Sequence, residues 1–296
     1  MLNRFVVDNL EFAEMKWKAM QAGDAGEAQL RILLENYQLT EHVLFNVSLQ
    51  ASGKFQIDCI VVTGGFVLVL ESKNIAGELS FEENPTRLVR VRNGVVTTFE
   101  SPEIQLERNM QLLRQWLTRH QISIPVIGAV VWTTSSYPLI MKSPKHLPMM
   151  FLSTVPTFFT QQQAHFPKIL TKEDCSELTK LLVEENERCK FSRYPLFPRW
   201  QTKVLSIKQG VRCVCGSFAM QRNKSSWHCE VCGIYDKRAH IATLKEWFIF
   251  VKDTISNREA CYLLGIESRH IAKRLLKSAG LIETGGGRSI VYKWPW

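Results

Sequence analysis

The stretch "QIDCIVVTGGFVLVLESK" (residues 56–73) decides how the chain is read. Two apolar, β-branched runs flank Gly64–Gly65, the pattern of paired strands joined by a tight turn. With Gly64–Gly65 as a two-residue loop, Thr63 pairs with Phe66, and the same register sets Asp58 opposite Glu71. Period-two alternation then projects Asp58, Glu71 and Lys73 from one sheet face. Two carboxylates facing each other across an apolar hairpin repel, and burial adds the cost of desolvating them. A cation must compensate: Lys73 supplies one charge, and a divalent metal ion supplies the rest. Hard oxygen donors on neighbouring strands suit Mg²⁺ or Mn²⁺, which keep several waters and take one or two carboxylates. Such an ion beside an ammonium is suited to hydrolysing phosphodiesters, by polarising the phosphoryl oxygen and activating a water. The plainer reading is a solvated hairpin end in which Asp58 and Glu71 share Lys73 as a salt-bridge partner.

Around the hairpin, strands lie between helices. The patterns predict a helix over about 24–37, a strand at "HVLFNVSL" (42–49) and a charged β-rich excursion over 78–99. An amphipathic helix (about 103–119), a strand at "PVIGAVVWTT" (125–134) and a closing helix (about 171–188) follow. This order indicates an α/β or α+β fold, a mixed sheet flanked by helices. Two polar residues on the helices are further candidates. Glu27, in "DAGEAQLRILL", shares a helical stripe with Leu30 and Leu34, which aims it inward. Asp24-x-x-Glu27 also has the form of a helix-starting capping box. Gln105 sits one turn before the apolar face of Leu112, Leu113 and Trp116 becomes continuous. It is placed either to hydrogen-bond a phosphate or a metal-bound water, or as an exposed first-turn residue.

The order of Gly26–Glu27, "QID" (56–58), "LESKN" (70–74), Gly77 and then Gln105 on a following helix resembles the nuclease-related domain (NERD) family. That family is similar to the PD-(D/E)xK restriction-endonuclease-like superfamily. The resemblance covers roughly residues 20–135 and implies a restriction-endonuclease-like mixed sheet. It also implies Asp58 and Glu71 as metal ligands, Lys73 as third member of the core signature, and Glu27 and Gln105 as accessory catalytic residues. Many enzymes of that superfamily cut both strands as dimers, so a homodimer is among the assemblies it implies.

The chain has 296 residues, 45% apolar and 22% charged, an ordinary globular composition. The longest apolar run, Ile60–Leu70, is broken by two glycines and is too short to cross a bilayer as a helix. The charged start "MLNRFVVDNLEFAEMKWKAM" has no secretory-signal pattern, so a cytoplasmic protein without a membrane partner is the expectation. The net charge of +9 is uneven. Residues 1–189 carry 18 Lys and Arg against 21 Asp and Glu, whereas residues 190–296 carry 19 against 7. A positive field confined to the C-terminal third attracts polyanions.

Of eight cysteines, Cys213, Cys215, Cys229 and Cys232 cluster in "RCVCGSFAMQRNKSSWHCEVCGIYD". Two short pairs, each followed closely by glycine, resemble a zinc ribbon, in which four thiolates close a structural Zn²⁺ site. The first pair is C-x-C rather than C-x2-C, which leaves His228 as an alternative ligand. Trp227, Arg212, Arg222 and Lys224 nearby suit nucleic-acid contact. "RYPLFPRW" (193–200) reads as a linker before this module. Beyond it, a short helix (about 256–264) ends at Gly265, and a second (about 267–279) follows. That second helix has Ile271, Leu275 and Leu276 inward and Arg269, His270, Lys273, Arg274 and Lys277 outward. A hairpin with a glycine tip bearing Arg288 closes the chain. This resembles a winged helix-turn-helix, whose second helix enters the major groove while the wing touches the backbone.

The expected organisation is therefore a nuclease-like domain over 1–192, a zinc ribbon over 203–240 and a winged-helix-like domain over 242–296. The expected function is Mg²⁺- or Mn²⁺-dependent hydrolysis of DNA phosphodiester bonds, with the C-terminal modules holding the substrate. One alternative is a non-catalytic DNA-binding or regulatory protein on a nuclease-like scaffold. Another is a nuclease directed at RNA.

Overall fold

The computed structural model describes residues 2–38, 42–134, 139–142, 147–189, 194–286 and 289–295. A 3-10 turn (Leu2–Arg4), strand β1 (Phe5–Val7) and helix α1 (Leu10–Asn36) open the chain. Strands β2 (Val43–Gln50), β3 (Lys54–Val62) and β4 (Val67–Lys73) follow, then β5 (Glu78–Glu83), β6 (Thr86–Arg92) and β7 (Val95–Glu100). Next come α2 (Pro102–Arg119), β8 (Val126–Trp132), β9 (Leu139–Lys142), β10 (Met149–Phe151), α3 (Val155–His165) and α4 (Lys172–Cys189).

The chain divides into two compact units, Ala19–Phe191 and the combination of Met1–Lys18 with Ser192–Trp296. In the first, β10-β8-β4-β3-β2 form one sheet, parallel from β10 to β4 and antiparallel from β4 to β2. Val67 and Val69 face α2 and α4, packing with Leu106, Leu113, Leu178 and Leu182. Leu68 and Leu70 face the other way, onto Leu30 and Leu34 of α1 and Val155 and Phe159 of α3. A strand buried on both faces needs this near-continuous apolar run, and β4 has it until Glu71. The 78–99 excursion is a second sheet, β7-β6-β5-β9. The hairpin forms as expected, in the register Val62↔Val67 through Cys59↔Leu70. Its glycines are required by close packing rather than by backbone conformation. A Cβ on Gly65 would lie 2.8 Å from the Phe166 carbonyl oxygen, and one on Gly64 3.0 Å from that of Leu170.

In the second unit, β1 pairs antiparallel with β11 (Val204–Ile207) after a short helix α5 (Leu196–Arg199). Strands β12 (Met220–Asn223), β13 (Ser226–Cys229) and β14 (Tyr235–Asp236) form a small sheet ahead of α6 (Ala239–Phe250). The remainder runs β15 (Thr254–Ser256), α7 (Asn257–Leu264), α8 (Arg269–Ser278), β16 (Ile282–Thr284) and β17 (Val291–Lys293), with sheet order β15-β17-β16. Local chemistry sets both helix ends: Ser256 and Glu259 form a capping box on α7, and Gly265 closes it at φ 66°.

Four expectations differ. The first helix begins at Leu10, not near residue 24, so Asp24 lies mid-helix rather than at a helix start. Residues 1–18 pack with the C-terminal unit rather than in a 1–192 domain, because Arg4 and Phe5 are buried there. The 203–240 and 242–296 segments share one core, in which Val211, Met220 and Trp227 pack with Leu244, Trp247, Leu276 and Tyr292. "RYPLFPRW" is not a free connector either: Leu196 and Phe197 are buried, and Phe197 meets Phe5 edge-on at 5.2 Å.

Candidate active site

The site begins where β2 and β3 stop behaving as regular strands. Their ladder runs Val43↔Val61 to Phe45↔Cys59 and resumes at Val47↔Ile57, leaving Asn46 and Asp58 outside it. Asn46 has φ 55°, a left-handed conformation that Asn tolerates better than most residues. Ile57 and Ile60 consequently pack into the same cluster although three residues apart, so strict alternation slips once beside Asp58. The Asp58 carboxylate turns to β4, where its Oδ2 accepts from the Ser72 backbone N–H at 3.0 Å and from Ser72 Oγ at 3.1 Å.

Glu71 is 1% exposed. Lys73 Nζ donates to its Oε1 at 2.6 Å and to Gln105 Oε1 on α2 at 3.0 Å. Oε2 of Glu71 is buried without a hydrogen-bond partner. Burial first, then the Asp58 charge and more weakly that of Glu27, push the Glu71 carboxyl up to about 7, against the opposing pull of Lys73. One ammonium therefore does not balance the three carboxylates. An orphaned buried oxygen amid excess negative charge, with hard donors only, is a setting that fits a divalent cation.

Glu27 arrives from α1 because that helix packs closely on the sheet. A Cβ on Gly26 would run into Thr133 Oγ1 just past β8 and lie 3.1 Å from Asn74 Cβ just past β4. Asn74 Nδ2 also donates to the Ala22 carbonyl at 2.8 Å. Asn46 Nδ2 donates to Glu27 Oε2 at 2.6 Å, and its Oδ1 accepts from Gln56 Nε2 at 3.1 Å. The left-handed Asn46 thus both breaks the ladder and holds Glu27. The structure accordingly gathers Glu27, Asp58, Glu71, Lys73 and Gln105 around the C-terminal end of β4. Asn46, Ser72 and Asn74 were not singled out in the sequence. The signal for Asn46 was a poor strand former amid "HVLFNVSL".

In the second unit, the sulfurs of Cys213, Cys215, Cys229 and Cys232 all lie within 4.8 Å of one another. Cys213 and Cys232 are 3.5 Å apart, and Cys215 and Cys229 3.8 Å. Four sulfurs on a tetrahedral ion at ordinary metal–thiolate distances sit about 3.8 Å apart, so the set suits a thiophilic cation. Ser217 Oγ, followed by the backbone N–H of Cys232, lowers the Cys229 thiol to about 6. His228 stacks on Tyr235 at 4.4 Å, outside this cluster. Among the basic residues, Arg212 is taken by Glu246 at 3.1 Å. Lys273 and Lys277 both pair with Glu283 of β16, at 3.5 and 3.3 Å. Arg269, His270 and Arg274 are exposed, and Arg288 lies outside the described residues.

Fold and site together define a mixed α/β core with an acidic centre, covered by helices on both faces. Residues 22–133 match the family model of the nuclease-related domain, NERD. The match takes in every gathered residue and ends before α3, α4 and the C-terminal unit. No curated protein and no solved structure matches the chain. Among the described residues, no helix is long and apolar enough to cross a membrane.

Proposed function

We propose that this protein is a Mg²⁺- or Mn²⁺-dependent nuclease that hydrolyses DNA phosphodiester bonds, with the C-terminal unit holding the substrate. The observation that carries the proposal is Glu71: buried, bonded to Lys73 through one oxygen, and left with a free second oxygen beside Asp58 and Glu27. Asp58 and Glu71 would hold the divalent ion, which when bound supplies Lewis-acid polarisation and an activated water. Lys73, oriented between Glu71 and Gln105, places an ammonium where charge develops on the phosphoryl oxygens. Ser72 fixes the Asp58 carboxylate, and Asn46 fixes that of Glu27. Gln105 holds the Lys73 amine from α2, so that residue acts by positioning.

The order α6–β15–α7–α8–β16–β17, with β17 between β15 and β16, supports reading this segment as a winged helix-turn-helix. On that reading α8 meets the major groove through Arg269, Arg274 and, once released from Glu283, Lys273 and Lys277. Arg288 belongs to the same proposed interface, at the wing. The four cysteines would hold a structural Zn²⁺, closed to solvent chemistry. Metal analysis of the purified chain is then expected to give about one zinc per chain, lost on Cys229→Ser.

The test of catalysis is a nuclease assay on duplex DNA, with RNA in parallel, in Mg²⁺ or Mn²⁺. Asp58→Ala, Glu71→Ala and Lys73→Ala are each expected to lower cleavage by at least about 100-fold. Metal-dependent cutting that persists in all three would remove the assignment.

A further inference from the structure

The cysteine-bearing sheet and the helices after it share one core, so basic residues from both can serve one ligand. Several basic side chains on this unit are compensated: Arg212 by Glu246, Lys252 by Glu259, Lys273 and Lys277 by Glu283. Arg222 of β12 and Arg274 of α8 are not; among the described residues neither forms an ion pair. Arg222 pairs across the hairpin with Trp227, and its guanidinium lies over that ring, 5.3 Å from the centroid. Its Nη1 is shielded from solvent and has no hydrogen-bond partner, which is costly for a charged donor.

A chain of contacts fixes where this guanidinium stands relative to α8. Trp227 Nε1 donates to His240 Nδ1 at 3.2 Å, so the imidazole carries its proton on Nε2, which meets Ser278 Oγ at 3.2 Å. Ser278 in turn donates to the Leu275 carbonyl. Arg274 lies one helical turn before Ser278 and therefore on the same side of α8. His240 adds no charge, since burial and then Arg222 hold it at about 4. Burial and then the charge of Arg274 lower the pKa of Arg222. Two like charges on elements joined by this contact chain, neither offset by a carboxylate among the described residues, suit an anion between them.

We propose that Arg222 and Arg274 form one binding site for a backbone phosphate of DNA, bridging the cysteine-bearing sheet and α8. Arg222, half-buried over the Trp227 ring, contributes from the sheet, and the exposed Arg274 closes from the helix. A planar guanidinium suits phosphate in a way a lysine does not. The site rests on the nucleic-acid reading above but extends it, because it assigns the cysteine-bearing sheet a direct contact and moves the main anchor of α8 away from its lysines.

The test is binding of a short end-labelled DNA duplex to the full chain, followed by fluorescence anisotropy at several salt concentrations without added divalent metal. Arg222→Gln and Arg274→Gln are each expected to weaken binding about tenfold and to flatten the slope of log K against log salt by about one. If both hold one phosphate, the double variant loses less than the product of the single losses. Arg222→Lys is expected to lose most of what Arg222→Gln loses. Arg274 is exposed, so its variant keeps the fold and the test stands even where Arg222→Gln perturbs Trp227. Wild-type affinity and slope in Arg274→Gln would overturn the site while leaving nucleic-acid binding intact. Strictly multiplicative losses would replace it with two separate contacts. Failure of the wild-type chain to bind DNA at low salt would remove the underlying reading as well.

Discussion

Glu71 is the residue on which the proposed chemistry turns, and its burial makes it measurable. Its folded-state pKa, about 7, lies above its ordinary value of 4.5. A carboxyl with a raised folded pKa stabilises the fold where it holds its proton, below 4.5, and that contribution is lost as pH rises through about 7. Without metal, the stability attributable to Glu71 is therefore expected to fall between these two values. A divalent ion reverses this, because it binds the ionised form and competes with the proton. Stabilisation by Mg²⁺ or Mn²⁺ is expected to grow as pH rises through about 7 and to reach about 2.7 kcal/mol at a metal concentration 100 times Kd. Glu71→Gln is expected to abolish both the pH trend and the metal effect while leaving the metal-free protein folded, since an amide carries no charge to bury. Thermal melts at several pH values with and without metal check this; a metal shift that survives in Glu71→Gln would move the ion elsewhere.

At the scale of elements, the site exists because α1 lies close enough to deliver Glu27, and Gly26 permits that distance. Gly26→Ala puts a methyl into Thr133 Oγ1 and against Asn74 Cβ. Either α1 shifts outward or those side chains move. The expected result is about 1–3 kcal/mol of destabilisation and a loss of cleavage larger than the lost stability explains, read by denaturant unfolding beside the nuclease assay. Wild-type activity in Gly26→Ala would show that Glu27 need not stand where α1 places it. The same elements show what could be read from the sequence. The hairpin register was legible because Gly64–Gly65 fix it, and Leu30 and Leu34 correctly oriented Glu27. The slip beside Asp58 was not legible, because alternation assumes a regular ladder and Asn46 interrupts it through backbone conformation. The start of α1 was hidden by Asp24-x-x-Glu27, a local pattern that mimics a helix beginning inside a continuous helix. Helix α3, "VPTFFTQQQAH", was missed because its buried residues, Val155 and Phe159, leave too sparse a stripe to mark a period.

Across the whole molecule, the first residues of the chain complete the unit formed by the last ones. Arg4 is 1% exposed and carries the connection. It bonds Glu246 Oε2, donates to the carbonyls of Lys208 and Gly210 at 2.8 and 3.0 Å and to Thr243 Oγ1 at 3.3 Å, and lies over Phe218. Beside it, β1 pairs with β11. Burial lowers the Arg4 pKa, and Glu246 opposes that shift, so charge and partner depend on each other. Arg4→Met keeps most of the stem volume but removes every donor, leaving buried Glu246, among the described residues, with the more exposed Arg212 as its ion-pair partner. Breaking a buried pair from one side costs about 3–5 kcal/mol, whereas removing both charges is much less harmful. Arg4→Met is therefore expected to destabilise the C-terminal unit by that amount, and Arg4→Met with Glu246→Leu to recover part of it. Hydrogen exchange resolved by segment should show faster exchange in α6, α7 and α8, with β3, β4 and β8 unchanged. Equal loss of protection in both units would mean that they unfold together, and that Arg4 stabilises the whole chain rather than the unit it closes.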